Sequence, residues 1–335
     1  MIKNIILKIS VALLLVTISF SQTVNVKIIE TSDVHGAIFP YDFQDGKERG
    51  SSLARVTSYL KEQRADSNQI VFLLDNGDIL QGDPAVYYYN FEKTDTIHLY
   101  ADVMNYMKYD AGTVGNHDIE TGHNVYDKFN KEINFPWLAA NAINTSTNEP
   151  YFKPYTTIER GGVKIAVLGL ITPAIPQWLP EKIWSGMRFD DMIETAQKWV
   201  KKIRETEQPD IMIGLFHAGV DYTYNDENEN TYKNENASRL VAEKVDGFDL
   251  IFVGHDHAGW NFKTKSPSGK DVLILGTTAG ARNIAEANYV LNYDKVCMIY
   301  DKKEITGNLI DMKNCPPDPD FMTRYEKNFE EVKEY

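Results

Sequence analysis

Residues 29–36, IETSDVHG, are the first of five short segments in which metal-binding side chains follow an apolar run. Five of the seven histidines of the chain lie in these segments, and each of them except His217 has a carboxylate within two residues. Composition alone does not produce such clustering, so the segments are expected to form one site. The other four segments are 75–78 (DNGD), 115–118 (GNHD), His217 itself and 254–257 (GHDH).

The residue types in these segments predict a two-metal hydrolytic centre. Two divalent ions about 3.5–4 Å apart can clamp both the attacking and the leaving oxygen of a phosphoryl displacement. Such a centre needs imidazole and carboxylate ligands, one carboxylate shared by both ions, and tolerates a neutral oxygen ligand such as Asn116. Residues i and i+2 of a strand project to the same side, so Asp33 with His35, and His255 with His257, are expected to send paired ligands into one cleft.

Apolar runs bounded by Gly, Asp or Pro alternate with amphipathic segments, which predicts an α/β fold. The metal motifs follow most of the predicted strands, and sites on open α/β sheets lie outside the carboxyl ends of the strands. Residues 287–309 are expected to form two or three antiparallel strands with a turn near Asp301. The predicted strands are 26–29, 70–74, 111–114, 163–170, 211–216, 250–253 and 272–275, and the predicted helices are 51–63, 96–107 and 190–207.

The order DxH, GD, GNH[DE], H, GHxH resembles the calcineurin-like metallophosphoesterase superfamily. More narrowly, residues 29–36, 77–82 (GDILQG), 115–118 and 253–257 (VGHDH) are similar to the secreted 5'-nucleotidase and 2',3'-cyclic-nucleotide 2'-phosphodiesterase family. The resemblance covers roughly residues 24–312. It implies a four-layer α-β-β-α sandwich, a fold that periodicity alone does not select, and a metallophosphoesterase catalytic domain over residues 22–312.

The resemblance also implies two divalent metal ions, with Mn, Zn, Fe and Co all left open as their identity. Asp78 is the expected bridge between them. The first ion is expected to be held by Asp33, His35, Asp78 and His257, and the second by Asp78, Asn116, His217 and His255.

His117 is the catalytic imidazole that the resemblance implies, placed to stabilise charge on the phosphoryl group or to protonate the leaving oxygen. Glu120 occupies the position of the carboxylate that orients this histidine, where the 5'-nucleotidase pattern usually has Asp. Three other carboxylates, Asp75, Asp118 and Asp256, are expected to bond nearby backbone and not to ligate metal.

The implied substrate is a nucleotide. Residues 169–173 (GLITP), Trp178 and residues 194–196 (ETA) with Val200 favour the 2',3'-cyclic-nucleotide and 3'-nucleotide branch. One alternative is a 5'-nucleotidase or nucleotide-sugar hydrolase with the same ligands. Another is a non-catalytic metal-binding module that needs a partner chain for substrate recognition.

Residues 1–21 predict export. Lys3 and Lys8 precede the apolar run 9–20, which is shorter than the roughly 20 residues that span a bilayer, so a cleaved signal peptide and a periplasmic or secreted location are expected, with an uncleaved anchor left open. In that oxidising setting Cys297 and Cys315 either form a disulfide or remain unbonded, and the sequence leaves both alternatives open. The net charge of −13 and the lack of a basic stripe exclude a nucleic-acid-coating surface.

Two further segments leave alternatives open. The polar stretch 222–238 is expected to be either a solvated loop or a rim that shapes access to the metal cleft. Residues 313–335 are expected to form a linker and a helix. In the family this helix leads to a nucleotide-binding carboxyl-terminal domain that the given sequence lacks, so either a partner chain supplies that function or the sequence is a fragment.

Overall fold

The computed structural model describes residues 22–294 and 299–335. Within them, two six-stranded sheets lie face to face and helices cover the outer face of each sheet. In chain order the strands are β1 (Gln22–Thr31), β2 (Tyr41–Asp42), β3 (Lys47–Glu48), β4 (Gln69–Asp75), β5 (Ala111–Thr113), β6 (Trp137–Leu138), β7 (Ala142–Asn144), β8 (Tyr155–Arg160), β9 (Val163–Ile171), β10 (Met187–Phe189), β11 (Ile211–His217), β12 (Leu250–Val253), β13 (Trp260–Lys265), β14 (Asp271–Gly276), β15 (Asn283–Asp294) and β16 (Ile299–Asp311).

Each large sheet has a parallel centre. The first sheet has the strand order β16-β15-β1-β4-β5-β6, with β1, β4, β5 and β6 parallel, and the second has the order β13-β14-β12-β11-β9-β8, with β14, β12, β11 and β9 parallel. The carboxyl ends of the parallel strands in a sheet meet at one edge. The short strands form two further pairs, β2 with β3 and β7 with β10.

The helices are α1 (Leu53–Ala65), α2 (Pro84–Tyr87), α3 (Leu99–Met107), α4 (Asn116–Glu120), α5 (His123–Glu132), α6 (Ile175–Trp178), α7 (Met192–Thr206), α8 (Ser238–Lys244), α9 (Pro319–Arg324) and α10 (Glu326–Glu334). A π-helical turn, Tyr88–Glu92, continues α2. The 3-10 turns Glu181–Ile183, Tyr224–Asp226 and Met312–Asn314 complete the list for the described residues.

Alternation along the strands sorts apolar side chains into separate core layers. In β1, Val26 and Ile28 face the layer between the two sheets, whereas Ile29 faces the helices outside the first sheet. In β11, Ile213 faces the layer between the sheets and Met212 faces the helices outside the second sheet. Three apolar layers therefore separate four layers of secondary structure, and the predicted α-β-β-α sandwich is confirmed.

Helix α7 illustrates how the sequence specifies an outer helix. Asp191 caps it, since its carboxylate accepts hydrogen bonds from the backbone N–H groups of Ile193 and Glu194. Ala196, Val200 and Ile203 recur at helical spacing on its buried face. Burying a side chain such as Ile203 contributes about 1.5–3 kcal/mol, so the apolar face holds this helix on the second sheet.

The final hairpin differs from its predicted form. Residues 287–309 fall in two antiparallel strands, β15 and β16, but the predicted turn near Asp301 is wrong because Asp301 lies inside β16 opposite Asn292. Residues 294–298 contain neither Gly nor Pro, so the sequence carries no turn signal there. Cys297 and residues 1–21 lie outside the described residues, as do the predictions of a disulfide with Cys315 and of a signal peptide.

The carboxyl-terminal segment packs against the first sheet's helices. Phe321, Tyr325 and Val332 are buried in the core on the outer face of that sheet. The single helix predicted within residues 313–335 is present as two short helices, α9 and α10, which meet at Tyr325. The predicted division between a catalytic domain over 22–312 and a linker and helix over 313–335 stays a prediction.

Candidate metal centre

The predicted site residues come together where parallel strands of both sheets end. Asp33 and His35 follow β1, Asp78 follows β4, and Asn116 follows β5, all in the first sheet. The second sheet contributes the rest of the predicted ligands. His217 is the last residue of β11, and His255 and His257 follow β12.

The paired ligands lie in turns, so the expected strand alternation does not explain their direction. Asp33 and His35 have φ of 50° and 49°, and His255 and His257 have φ of 77° and 55°. These left-handed conformations cost non-glycine residues about 1–3 kcal/mol each and gather at functional sites. Backbone hydrogen bonds hold the first turn, from the N–H of Asp33 to Gly77 O and from the N–H of His35 to the carbonyl oxygen of Asp78, each 3.0 Å long.

Two glycines allow the turns to approach closely. A Cβ at Gly115 would lie 2.2 Å from Asp78 Oδ1, and one at Gly254 would lie 2.2 Å from Ser32 Oγ and 2.8 Å from Asp33 Oδ2. Either side chain would displace a carboxylate of the cluster. The glycines of the GNHD and GHDH segments are therefore required by the site's geometry.

Ligand atoms of Asp33, His35, Asp78 and His257 form the first group, in which all lie within 4.8 Å of one another. The Nε2 atoms of His35 and His257 are 3.1 Å apart, and His257 Nε2 is 3.3 Å from Asp33 Oδ1. The carbonyl oxygen of Gln81 can only accept, so the neighbouring Nδ1 of His35 donates to it and Nε2 presents its lone pair to the group.

Asp78, His217 and His255 form the second group, also within 4.8 Å. His217 Nε2 lies 3.1 Å from Asp78 Oδ2 and 3.1 Å from Asn116 Oδ1, and His255 Nδ1 lies 2.8 Å from the same Asn116 oxygen. His217 Nδ1 donates to the backbone carbonyl of Asn76, 2.5 Å away, which directs its other nitrogen into the group. Asp78 belongs to both groups.

The chemistry of these donors fits divalent metal ions. When His217 and His255 are neutral, their bonds to Asn76 and Glu235 leave the other ring nitrogen of each with a lone pair directed at Asp78 and Asn116. Asp78 Oδ2 is buried and makes no hydrogen bond, and His217 Nε2 lies 3.1 Å from it. A protonated His217 balances the charge of this carboxylate, and a bound divalent ion would take over that role as His217 gives up its Nε2 proton. Mixed imidazole, carboxylate and amide ligation suits first-row transition metals.

The electrostatics of the cluster keep its carboxylates ionised. Burial would lower the pKa of the His217 imidazole, but the Asp78 carboxylate beside it raises that pKa to about 10. Burial would raise the pKa of Asp33, yet the hydrogen bond from His257 and the charge of His217 hold it below its usual value. The carboxylates therefore stay ionised at the centre of the site.

Three further carboxylates hold the surrounding backbone, as the sequence indicated. Asp118 accepts from the N–H groups of residues 78, 79, 80 and 115 at 2.8–3.0 Å. Asp75 accepts from the Thr31 hydroxyl and the Gly77 N–H, and burial raises its pKa to about 8. Asp256 accepts from the backbone N–H of Val220 at 3.0 Å and from the indole N–H of Trp260 at 2.9 Å.

His117 lies beside the cluster and is in neither ligand group. Its backbone N–H donates to Asp78 Oδ1 at 2.8 Å, and its ring Nδ1 contacts the Glu120 carboxylate. The ring lies edge-on to His35 with centroids 5.5 Å apart. The contact that the dyad requires is therefore present with Glu in place of Asp, while the catalytic roles of both residues stay predictions.

The structure also places beside the candidate ligands one carboxylate that the sequence analysis missed. Glu235 comes from the polar stretch 222–238 and is only 7% exposed. Its Oε1 lies 3.2 Å from His255 Nε2, and its Oε2 accepts from Asn225 Nδ2 at 3.2 Å. Carboxylates that bond the outer nitrogen of a metal-binding histidine fix its ring orientation. Trp178 stacks on the same His255 ring, with centroids 5.5 Å apart and planes at 30°.

Sequence spacing gave no signal for Glu235, because its burial depends on the folding of a long loop. The two remaining histidines lie outside the cluster. His98 is the buried N-cap of α3. His123 begins α5, and its ring bonds Asp127 and the carbonyl oxygen of Ser185.

Two facing sheets with an imidazole, carboxylate and amide cluster at their carboxyl ends define the class of metal-dependent phosphoesterases. The sequence model of the calcineurin-like phosphoesterase family matches residues 26–259, and the chain belongs to that family. The resemblance inferred from the motifs is thereby confirmed. The family uses divalent metal ions, and the Asp and His groups described above are the candidate site for them.

Two curated relatives are similar over most of this chain. The trifunctional nucleotide phosphoesterase protein YfkN of Bacillus subtilis is 32% identical over 255 residues, which are 71% of this chain and 17% of YfkN. A 2',3'-cyclic-nucleotide 2'-phosphodiesterase/3'-nucleotidase of Haemophilus influenzae is 29% identical over 270 residues, 77% of this chain and 40% of the relative. The chain thus spans less than half the length of each.

A solved structure shares the fold. The calcineurin-like phosphoesterase YfkN from Bacillus subtilis superposes with a TM-score of 0.82 at 25% identity, and the match covers 94% of this chain and 99% of that one. Across residues 22–294 and 299–335, none of the helices combines the length and apolar character that crossing a membrane requires.

Proposed function

We propose that this chain is a binuclear-metal phosphoesterase that hydrolyses nucleotides, with a preference for 2',3'-cyclic nucleotides and 3'-nucleotides. The observation that carries the proposal is the convergence of two groups of ligand atoms on the buried carboxylate of Asp78. A single ion would need only one of these groups. We assign Asp33, His35 and His257 to one ion, Asn116, His217 and His255 to the other, and Asp78 to both.

The relatives support a nucleotide substrate. The Haemophilus influenzae relative carries a name that includes cyclic phosphodiesterase and 3'-nucleotidase activities, and the Bacillus subtilis relative is named for several nucleotide phosphoesterase activities. Other relatives are named 5'-nucleotidases, at 29–30% identity over 59% of this chain. Their names keep the 5'-nucleotide alternative open.

In this proposal the residues of the chain have distinct tasks. The metal pair supplies Lewis-acid stabilisation of the phosphoryl oxygens. His117 uses Nδ1 on Glu120, so Nε2 is the nitrogen free to donate a proton to the leaving oxygen. Glu120 holds that ring in place, and Glu235 holds the ring of His255 with Nδ1 toward Asn116.

The first experiment compares substrates on the purified chain loaded with Mn²⁺. We expect kcat/KM for 2',3'-cyclic AMP to exceed that for AMP. The reverse ranking would assign the chain to the 5'-nucleotidase alternative. Turnover of bis-p-nitrophenyl phosphate by the isolated chain excludes the non-catalytic module, and elemental analysis of protein purified without added metal identifies the ions.

A matched pair of variants tests the role of His117. His117→Asn should retain both ions and slow hydrolysis of a nucleotide far more than that of an aryl ester, because a ribose hydroxyl leaves poorly without a proton. His123→Asn, outside the cluster, is the control and should match wild type on both substrates. Equal losses on both substrates in His117→Asn would indicate stabilisation of the phosphoryl oxygens, and loss of an ion would make His117 a ligand.

The proposal extends to location and assembly. We propose that the protein acts in the periplasm or outside the cell, supported by the predicted signal peptide at residues 1–21. We also propose that a nucleotide-binding carboxyl-terminal domain or a partner chain completes substrate recognition. Fractionation of cells that express the full sequence tests the location.

A further inference from the structure

A cavity of about 410 Å³ adjoins the metal cluster and extends beyond it. Asn116, His117 and Glu120 line the part beside the cluster, and Trp178 and Tyr224 also line it. The volume lies in the range of small-molecule sites. A phosphoryl group bound at the ligand atoms would leave the aromatic part of this cavity for another part of the substrate.

Trp178 is held at the cavity by a ring contact. It is the last residue of α6, and its indole stacks on the His255 imidazole with centroids 5.5 Å apart. Even so, 41% of its surface is exposed. A large indole that is fixed on one ring and open to solvent elsewhere is available to a ligand.

Tyr224 comes from a different segment and is 53% exposed. It begins the 3-10 turn Tyr224–Asp226, which is tied to the site because Asn225 Nδ2 donates to the Glu235 carboxylate. Nearby, Asn234 Nδ2 donates to the carbonyl oxygen of Tyr222 at 2.9 Å. The loop is therefore anchored at the metal cluster through Glu235 and His255.

The chemistry of this cavity suits a neutral, flat, aromatic group. Glu120 and Glu235 supply its charged side chains, both acidic, so a second anionic group would be repelled. Nucleobases are neutral and stack on aromatic side chains with about 1–3 kcal/mol per base. We propose that Trp178 and Tyr224 form a nucleobase subsite within this domain, so that the chain binds the nucleoside part of its substrate with its own residues.

This inference rests on the proposed nucleotide hydrolysis, but binding tests it separately. Adenosine, which carries no phosphate, is titrated into the metal-loaded protein by calorimetry, with ribose as the base-free control. We expect adenosine to bind and ribose not to bind. Tyr224→Ala should weaken adenosine binding about 5- to 150-fold, which is the stacking free energy converted to affinity.

Tyr232→Ala is the matched control, since Tyr232 belongs to the same segment and is 65% exposed but does not line the cavity. It should bind adenosine like wild type. Trp178→Phe should remove the part of the tryptophan fluorescence that adenosine quenches. Inhibition by inorganic phosphate should be unchanged in Tyr224→Ala, because phosphate does not use the subsite.

The outcomes separate the subsite from the proposed function. Adenosine binding that Tyr224→Ala weakens and Tyr232→Ala does not supports the subsite even if nucleotides are not hydrolysed. Hydrolysis of nucleotides with no measurable adenosine binding, or with equal binding in all variants, would refute the subsite and leave the proposed function standing. An equal loss in Tyr224→Ala and Tyr232→Ala would also refute it, because the effect would then belong to the loop as a whole.

Discussion

Asp118 offers the sharpest test of how the cluster is held, because one buried carboxylate satisfies four backbone N–H groups. Oδ1 accepts from Ile79 and Leu80, and Oδ2 accepts from Asp78 and Gly115. In Asp118→Asn one oxygen becomes an NH₂ group that cannot accept. Two backbone N–H groups then lose their partner whichever way the amide is oriented.

The expected cost follows from those two donors. A buried donor left without a partner costs about 1–3 kcal/mol, so Asp118→Asn should lower the free energy of unfolding by about 2–6 kcal/mol. Native domains are stable by about 5–15 kcal/mol, so this is a large fraction. Either orientation of the amide leaves at least one N–H of the turn that holds Asp78 at a φ of 55° without its partner, so metal binding should weaken as well.

Urea unfolding followed by circular dichroism, on metal-free and metal-loaded protein, measures both effects. Burial and the neighbouring Asp78 raise the pKa of Asp118 to about 6, so pH 8 keeps the wild-type carboxylate ionised. Asp66→Asn is the control, because Asp66 is exposed and accepts only within its own turn; it should change stability by no more than about 0.5 kcal/mol. The reasoning would be refuted if the free energy of unfolding of Asp118→Asn lay within about 1 kcal/mol of the wild-type value and the variant still bound both ions.

Three further predictions follow from the same geometry. Asp78→Asn should bind fewer metal ions per chain and be less active than wild type, and both losses should exceed those of His35→Ala, because only Asp78 belongs to both ligand groups. Elemental analysis that still finds two ions per chain in Asp78→Asn would show that Asp78 is not the bridging ligand. Glu120→Ala should slow nucleotide hydrolysis by roughly 10²–10⁴-fold with the ions retained, and Glu120→Asp should keep much of the activity. Wild-type kinetics in Glu120→Ala would show that Glu120 does not assist His117 in catalysis. Burial, and secondarily Lys128, lowers the pKa of His98 to about 3, so the unfolded chain binds the extra proton first and His98 by itself costs about 2 kcal/mol of stability between pH 8 and pH 5. His98→Asn, which can keep the cap on α3, removes this contribution, so over that pH range wild type should lose about 2 kcal/mol relative to the variant in urea unfolding; the same pH dependence in both proteins would contradict the assignment to His98.

The strands and the position of the site could be predicted because both depend on local pattern. Runs such as 163–170 and 211–216 are buried on both faces, and continuous apolar character reports that burial directly. The motif residues follow strands, and parallel strands bring their carboxyl ends to one edge of each sheet. The stacking of two sheets came from the resemblance, because periodicity does not reveal which apolar faces meet.

The details of the site depend on features that local pattern does not carry. Left-handed turns at Asp33 and His255 replace the expected alternation, and contacts between distant segments help to stabilise them, such as the N–H of His255 bonded to Asp33 at 3.1 Å. Glu235 lies in a stretch whose composition matches a solvated loop. Its burial arises from Thr172, which donates to its backbone carbonyl, and from the contact with His255.

The hydrogen bonds of Asp78 connect the candidate metal ligands to the position of His117, the proposed catalytic histidine. Asp78 Oδ1 accepts the backbone N–H of His117, while Oδ2 makes no hydrogen bond and faces His217. Any shift of this carboxylate toward a bound cation therefore acts on the first turn of α4, which also carries Asn116. Because Gly115 leaves no room for a side chain beside Oδ1, the carboxylate and that turn are in direct contact. One carboxylate thus holds the candidate ligands and the His117 imidazole in fixed relative positions, so in the proposed mechanism the protein, and not the substrate, would set where the proton donor lies relative to bound ions.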